Sequence, residues 1–242
     1  MGSKRQYQYM KSNFGTQNEA NRIAWLGNIL KQIPTGSRIL DAGAGELKYK
    51  KFCSHLKYVS QDFGRYNGRG DGKGLQTGAW DQNKLDIISD ITAIPEPDAS
   101  FDAIMCIEVL EHLPNPVLAL KEFSRLLRTG GSLIITAPFC SLTHFAPYHY
   151  STGFNSYFYQ KHLKEFGLEI LEISPNGNFF EYLAQEIRRI PEIAGKYCSH
   201  QMSLTEKINS WIMLKMLERF SKKDEKSSEL LCFGYHIHAQ KT

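Results

Sequence analysis

Three groups of residues in this chain of 242 have types and spacings that could do chemistry: spaced carboxylates, glycines beside the first of them, and histidines set among aromatics. Asp41-x-Gly43-x-Gly45 closes the apolar run Arg38-Ile39-Leu40 with an acid and two residues that let backbone approach a nucleotide-type ligand. Asp62 follows at about the 20-residue distance at which an acid takes ribose hydroxyls, its other possible use being to cap the next turn. Asp90 ends a third short apolar segment. In Glu108-x-x-Glu111-His112 the spacing is i, i+3 and i+4, which on the first turns of a helix would bring all three to one face. His144 and His149, with Tyr148 and Tyr157 nearby, offer imidazoles that titrate near neutrality and can take a proton from a hydroxyl. Set against this, the same aromatics would serve equally well as packing.

The elements that must position these residues read as alternating strands and helices. Ile23, Leu26, Leu30 and Ile33 recur at helical spacing before Pro34 and Gly36 stop the helix. Arg38 begins the first strand, Tyr49 to His55 reads as a short helix, Tyr58 to Asp62 as the second strand and Leu85 to Ser89 as the third. Between the last two, Gly64 to Asp81 is glycine-rich and irregular, a length and texture often functional or mobile. Phe101 to Ile107 has the apolar density of a central parallel strand, Leu118 to Leu127 forms an amphipathic helix, and Leu133 to Ala137 is the fifth strand. This series predicts a doubly wound α/β sheet.

Two cofactor classes compete for the glycine turn. A dinucleotide fingerprint needs a third glycine where Lys48 stands, which disfavours a dehydrogenase. The ordered set of Asp41-x-Gly43-x-Gly45, Asp62, Asp90, Phe101-Asp102 and Leu127-x-x-Gly130-Gly131 resembles instead the class I S-adenosylmethionine (SAM)-dependent methyltransferases, over Arg38 to Phe139. One departure is Leu47, where many members of the class carry another glycine. The resemblance implies a Rossmann-like sheet of seven strands, mostly parallel with an antiparallel last strand, and Leu168 to Ile173 and Leu230 to Ala239 as arms of a terminal hairpin. It implies SAM as cofactor, with Asp90 accepting from the adenine amino group and the Ile91 amide meeting the ring. The candidate cofactor set is then Asp41, Gly43, Gly45, Asp62, Asp90, Ile91 and Glu108, and the candidate catalytic residues are His149, His144 and His112. The E-x-x-E-H pattern is also similar to that of ubiquinone-pathway O-methyltransferases, where it is associated with a divalent metal. The expectation here is no metal, with Glu108, Glu111 and His112 as the ligands should there be one.

A single methyltransferase domain is expected: residues 1–37 as an N-terminal lid or tail and first helix, 38–139 as the SAM-binding core, and 140–242 as the acceptor side with a helical cap inserted over 179–228. In that cap, Leu204 to Phe220 carries an apolar stripe expected to pack on its own domain. Hydrophobic residues at 42% and charged residues at 22% are an ordinary globular balance, and the net charge of +4 is scattered. Nucleic acid is therefore disfavoured as a partner. Five cysteines without a C-x-x-C pair suit a reducing compartment, and no apolar run approaches the ~18 residues of a membrane span. A cytoplasmic enzyme without membrane attachment is expected. The acceptor is read as a small molecule, with methylation on oxygen, and the segment around Pro138-Phe139 and Pro147 to Tyr150 resembles that of bacterial methyltransferases thought to modify saccharides, which suggests a glycan precursor. The alternatives are a non-catalytic SAM- or nucleotide-binding regulatory protein, or a metal-assisted enzyme of the ubiquinone-pathway kind. Neither the acceptor's identity nor the oligomeric state is legible in the residues.

Overall fold

The computed structural model describes residues 13–242, so the lid or tail expected before Asn13 lies outside the described residues. The chain divides into two compact units. The larger, Arg22–Ser174 with Gly234–Thr242, holds every candidate site residue. It is built on a seven-stranded sheet in the order β3-β2-β1-β4-β5-β7-β6. The strands are β1 (Arg38–Ala42), β2 (Lys57–Asp62), β3 (Ile87–Ile88), β4 (Phe101–Ile107), β5 (Leu127–Pro138), β6 (Leu168–Asn176) and β7 (Gly234–Lys241). β1 pairs in parallel with β2 and β4, β2 with β3, and β4 with β5, whereas β7 runs antiparallel to β5. The sequence-based expectation of a mostly parallel sheet with an antiparallel last strand is borne out.

Sequence explains the layering. β1 and β4 are almost continuously buried, as strands covered on both faces must be. Helix α1 (Asn18–Leu30) lays Leu26, Ile29 and Leu30 into a core with Ile39, Ala103, Met105 and Ile134. Helix α2 (Pro116–Leu126) begins on Pro116, whose fixed φ suits a first turn, and buries Ala119, Leu120, Phe123 and Leu126. Helix α3 (Ser156–Glu165) is capped by the Asn155 side chain. Ala42, Asp62 and Ile107 end parallel strands, with Asp41 one residue inside the first, so one edge of the sheet collects the strand tips where ligands of open α/β sheets bind.

Several boundaries moved. The helix expected over Tyr49 to His55 is a single 3-10 turn at Lys50–Phe52, and β3 is two residues long. Glu108 does not start a helix: it takes a left-handed φ of 57°, and only a short turn at Leu110–His112 follows. The i, i+3, i+4 face inferred for Glu108, Glu111 and His112 therefore does not exist.

The smaller unit comprises Pro175–Phe233 with the described residues through Asn21, so the helical segment groups as a compact body with wider bounds than the expected 179–228 insertion. Its helices α4 (Phe179–Tyr197) and α5 (Leu204–Ser221) each begin with a capping box, Asn178 with Glu181 and Ser203 with Glu206. The stripe on α5 is less buried than expected: Leu217 is buried, but Leu204, Ile208 and Met213 are exposed. No helix among the described residues is long and apolar enough to cross a membrane.

Candidate cofactor and acceptor site

The cofactor side begins at the turn after β1. Gly43 (φ 80°) and Gly45 (φ 50°) are left-handed, and a Cβ on Gly43 would lie 2.5 Å from Val109 Cγ2. Over Gly45 stands the Trp80 ring, 2.9 Å from where a Cβ would be. The N–H groups of Gly43 and Ala44 both donate to the Gln61 carbonyl, which fixes the turn against the end of β2. Leu47, the departure from the family's glycine pattern, nevertheless adopts a positive φ of 61°.

The three acids have different situations. Asp41 is 2% exposed and accepts the Tyr58 hydroxyl at 2.6 Å, so it braces the tips of β1 and β2 from beneath. Burial pushes its carboxyl up to about 7, with the Tyr58 bond opposing and the Asp62 charge adding. Asp62 lies at the tip of β2, where Oδ2 accepts the Gly45 N–H at 3.0 Å and Oδ1 accepts Gly64 N–H and the Gln82 amide. Its pKa is raised by burial and held back by the backbone donors of Gly64 and Gly45. Asp90 is exposed, and its hydrogen bonds from the Thr92 N–H and hydroxyl both fall on Oδ1 and lower its pKa.

That last arrangement tests whether the residues fit SAM. Asp90 Oδ2 retains its lone pairs, and the adjacent Ile91 N–H makes no hydrogen bond among the described residues. An acceptor next to a donor is complementary to the amino group and neighbouring ring nitrogen of adenine. With the Asp62 carboxylate at the neighbouring strand tip, the residues fit an adenosine moiety. The Gln82 amide, which the sequence did not single out, donates to Asp62 Oδ1 at 3.2 Å, so any sugar hydroxyl reaching that oxygen would compete with it.

Glu108 is engaged elsewhere. One carboxylate oxygen pairs with Arg22 at 3.0 Å and the other accepts the Thr136 hydroxyl at 2.8 Å, so it ties α1 to the ends of β4 and β5.

The acceptor side is held by an unexpected device. The glycine-rich excursion Gly64 to Asp81 lies backbone to backbone on residues 143–146: Leu75 N–H donates to the Thr143 carbonyl, Phe145 N–H to Leu75, and Asp71 N–H to Ala146, at 3.0, 3.0 and 3.1 Å. A Cβ on Gly70 would overlap the Ala146 carbonyl, which explains a glycine there. Tyr66 stacks on Phe145, Trp80 meets both edge-on, and Phe145 stacks on His112 with ring centroids 4.9 Å apart. A continuous row of rings thus runs from the glycine turn to the histidines. Neither Trp80 nor Tyr66 carried a sequence signal beyond being aromatic in a polar stretch.

His112, His144 and His149 come together, with centroid separations of 4.6 Å, 4.9 Å and 6.0 Å. Burial lowers His112 to about 3, the neighbouring His144 adding and the Tyr148 carbonyl opposing. His149 is lowered by burial and then by His144. Its proton position follows from its partner. The Ser141 hydroxyl donates its only hydrogen to the Thr152 carbonyl at 2.9 Å, so at 3.2 Å His149 Nε2–H must be the donor to Ser141 Oγ. The lone pair of neutral His149 is on Nδ1. His236 and His238, for which the sequence suggested no role, lie on β7, where His236 is buried and stacks on Trp25 at 4.8 Å.

The parallel sheet, the acids at and near its strand tips and the adenine-complementary pair give this chain the fold of the class I SAM-dependent methyltransferases and a site that resembles theirs. Comparison with known proteins agrees and adds particulars. Residues 69–135 match the family model described as a methyltransferase domain. A ubiquinone biosynthesis O-methyltransferase of Xylella fastidiosa is 38% identical over 121 residues, covering 46% of each chain. The chain spans less than half the length of the curated relatives it matches. Among solved structures, a SAM-dependent methyltransferase from Archaeoglobus fulgidus superposes with a TM-score of 0.58 at 15% identity, covering 97% of this chain and 99% of that one. The [4+2]-cyclase SpnF has the same fold (TM-score 0.51, 16% identity, 89% and 79% covered), so the fold alone does not select the reaction.

Proposed function

We propose that the protein transfers a methyl group from SAM to a hydroxyl oxygen of a small molecule, with His149 as the general base. The observation that carries this reading is the Ser141 bond, which fixes the His149 proton on Nε2 and leaves Nδ1 as a neutral lone pair at ordinary pH. His112, lowered to about 3, is a weak proton acceptor, so its contribution is to hold the segment at Tyr148, whose carbonyl accepts its Nδ1–H at 2.6 Å. His144, on the same segment, lies beside His149 with ring centroids 4.9 Å apart.

Bound SAM supplies the methyl group and its own leaving sulfide, so the protein's task is placement. Asp90 and the Ile91 amide receive the adenine edge, Asp62 the ribose hydroxyls, and the Gly43 to Gly45 turn the remainder against backbone. Asp41 and Glu108 act from behind, keeping strand tips in register. On the acceptor side His149 Nδ1 takes the hydroxyl proton, and the exposed rings of Tyr150 and Tyr157 suit the face of a sugar or an aromatic ring. Positioning of this kind is worth ~7 to 11 kcal/mol, against ~3 to 5 kcal/mol for a general base.

For the acceptor we favour a glycan precursor, supported by those two exposed tyrosines. A second reading, an acceptor of the ubiquinone-pathway kind for which catechols serve as probes, is favoured by the names of the curated relatives, ubiquinone biosynthesis O-methyltransferases. Incubating the full chain with SAM and a panel of sugar nucleotides, monosaccharides and catechols, with release of S-adenosylhomocysteine as readout, decides between them. Product with sugars supports the first and product with catechols the second. SAM binding by calorimetry with no release in any arm would reveal a regulatory binding protein.

A further inference from the structure

We propose that helix α5 of the smaller unit is an interfacial anchor, lying along the surface of an anionic bilayer with Leu204, Ile208, Ile212 and Met216 at the acyl boundary and Lys207, Lys215 and Arg219 on the headgroup phosphates. The inference goes beyond methyl transfer and stands on this unit alone.

α5 has two apolar faces rather than one. On the inner side Leu217 is buried, the Phe220 ring lies 5.7 Å from that of Phe180 on α4, and the Asn178 amide donates to Ser221 Oγ at 2.9 Å. Packing within the unit accounts for that face. On the outer side Leu204, Ile208, Ile212 and Met216 follow one another at strict i+4 spacing, which on a helix is a single ridge. They are 72%, 48%, 53% and 39% exposed, an apolar strip about 18 Å long that the described chain leaves uncovered. Single exposed apolar residues are ordinary, but a contiguous row of them marks a contact surface.

A second ridge identifies what that surface meets. Three residues on from each member of the apolar row stand Lys207, Trp211, Lys215 and Arg219, again at i+4 spacing, and Lys222 and Lys223 follow the helix end. Lys215 and Lys222 share the Glu218 carboxylate at 2.9 Å and 3.5 Å, whereas Lys207, Arg219 and Lys223 form no ion pair among the described residues. Long basic side chains lay their methylenes along apolar surface and carry the charge outward, and an indole settles between acyl chains and headgroups. Trp211, 40% exposed among those cations, is placed for that level. A straight apolar ridge edged with cations is complementary to a flat, negatively charged interface.

A second copy of the chain is a poorer match. Paired antiparallel through the apolar row, two copies would set their basic ridges against each other. Paired parallel, the basic ridge would meet the opposite flank, Thr205, Asn209 and Met213, which offers no carboxylate to receive it. Nor is α5 a span, since no helix among the described residues is long and apolar enough to cross a membrane. It lies on the surface.

Flotation of the full chain with vesicles of phosphatidylglycerol and phosphatidylcholine, against phosphatidylcholine alone, is the test. Binding to the anionic vesicles is expected, about tenfold or more above the neutral ones and weakened by added salt, with a blue shift of tryptophan emission that Trp211→Phe removes. Ile208→Gln with Ile212→Gln is expected to weaken binding about 10- to 100-fold, and Lys207→Gln or Arg219→Gln about fivefold each, on anionic vesicles only. Both isoleucines are exposed, so circular dichroism should be unchanged; should the pair alter it, Trp211→Phe and the two basic-ridge variants decide. No flotation, equal binding to both vesicle types, or flotation untouched by these variants would overturn the anchor. A dimer in sedimentation that the isoleucine pair dissociates, without flotation, would assign the ridge to a second copy instead. SAM affinity of the isoleucine pair, by calorimetry, is expected to stay within twofold, so failure of the anchor leaves the methyltransferase reading as it stands.

Discussion

The two halves of the site are built by opposite means. The cofactor side is made at the tips of adjacent strands, and its key contacts are short in sequence: Asp62 to Gly45, Asp90 to Thr92 and Asp41 to Tyr58. On the acceptor side the wall is assembled from segments far apart in the chain, Leu75 on Thr143 and Glu111 on Tyr150 and Ser151, largely through backbone. A site of the first kind leaves a readable pattern of residue types, and one of the second kind does not.

Substitutions can break that division. Gly43→Val is expected to abolish SAM binding with the fold retained, because the new side chain meets Val109 and demands a backbone conformation it cannot easily adopt; calorimetry and circular dichroism check both halves of the statement. On the other side, His149→Ala is expected to lower kcat by about 10² to 10⁴ while the affinity for SAM stays within twofold. A parallel loss of SAM affinity would show that the halves are not separable in this way. Gly70→Val sharpens the comparison, since it should displace residues 143–146 and raise the acceptor KM about tenfold or more, through lost orientation, with little change in SAM affinity. Asp90→Ala removes one charged acceptor and is expected to weaken SAM about 10- to 100-fold, with the acceptor KM unchanged.

The smallest effect concerns pH. Asp41 titrates near 3.8 unfolded and about 7 folded, so the folded chain holds a proton that the unfolded chain has lost. Stability from this group is full below about pH 4 and declines until about pH 7, beyond which it is level. Asp41→Asn is expected to flatten that slope in thermal melts from pH 4 to 8 and to raise Tm at the upper end.

What was legible follows the same division. The strand and helix series from Arg38 to Pro138 was readable because each element carries its own periodicity and stop signals, and the acids fell where parallel strands end. Glu108 misled because its spacing to Glu111 and His112 presumes a helix, whereas a left-handed residue intervenes and Arg22, from α1, claims the carboxylate. The role of Gly64 to Asp81 was hidden because its partner lies some seventy residues away and the contact is made by backbone groups that every residue has. His144 was picked out as a candidate base, but nothing local places it beside His112. Asp41 was singled out by its motif as a cofactor residue, and only its burial on Tyr58 distinguishes bracing a turn from touching a ligand.

The glycine-rich strap and the residue after it reach both halves, Leu75 bonding Thr143 and Gln82 bonding Asp62. A sugar that takes over Asp62 changes the load on the same stretch of chain that shapes the histidine wall. Donor and acceptor affinities are in that case linked quantities, and reciprocity requires each to alter the other by the same factor.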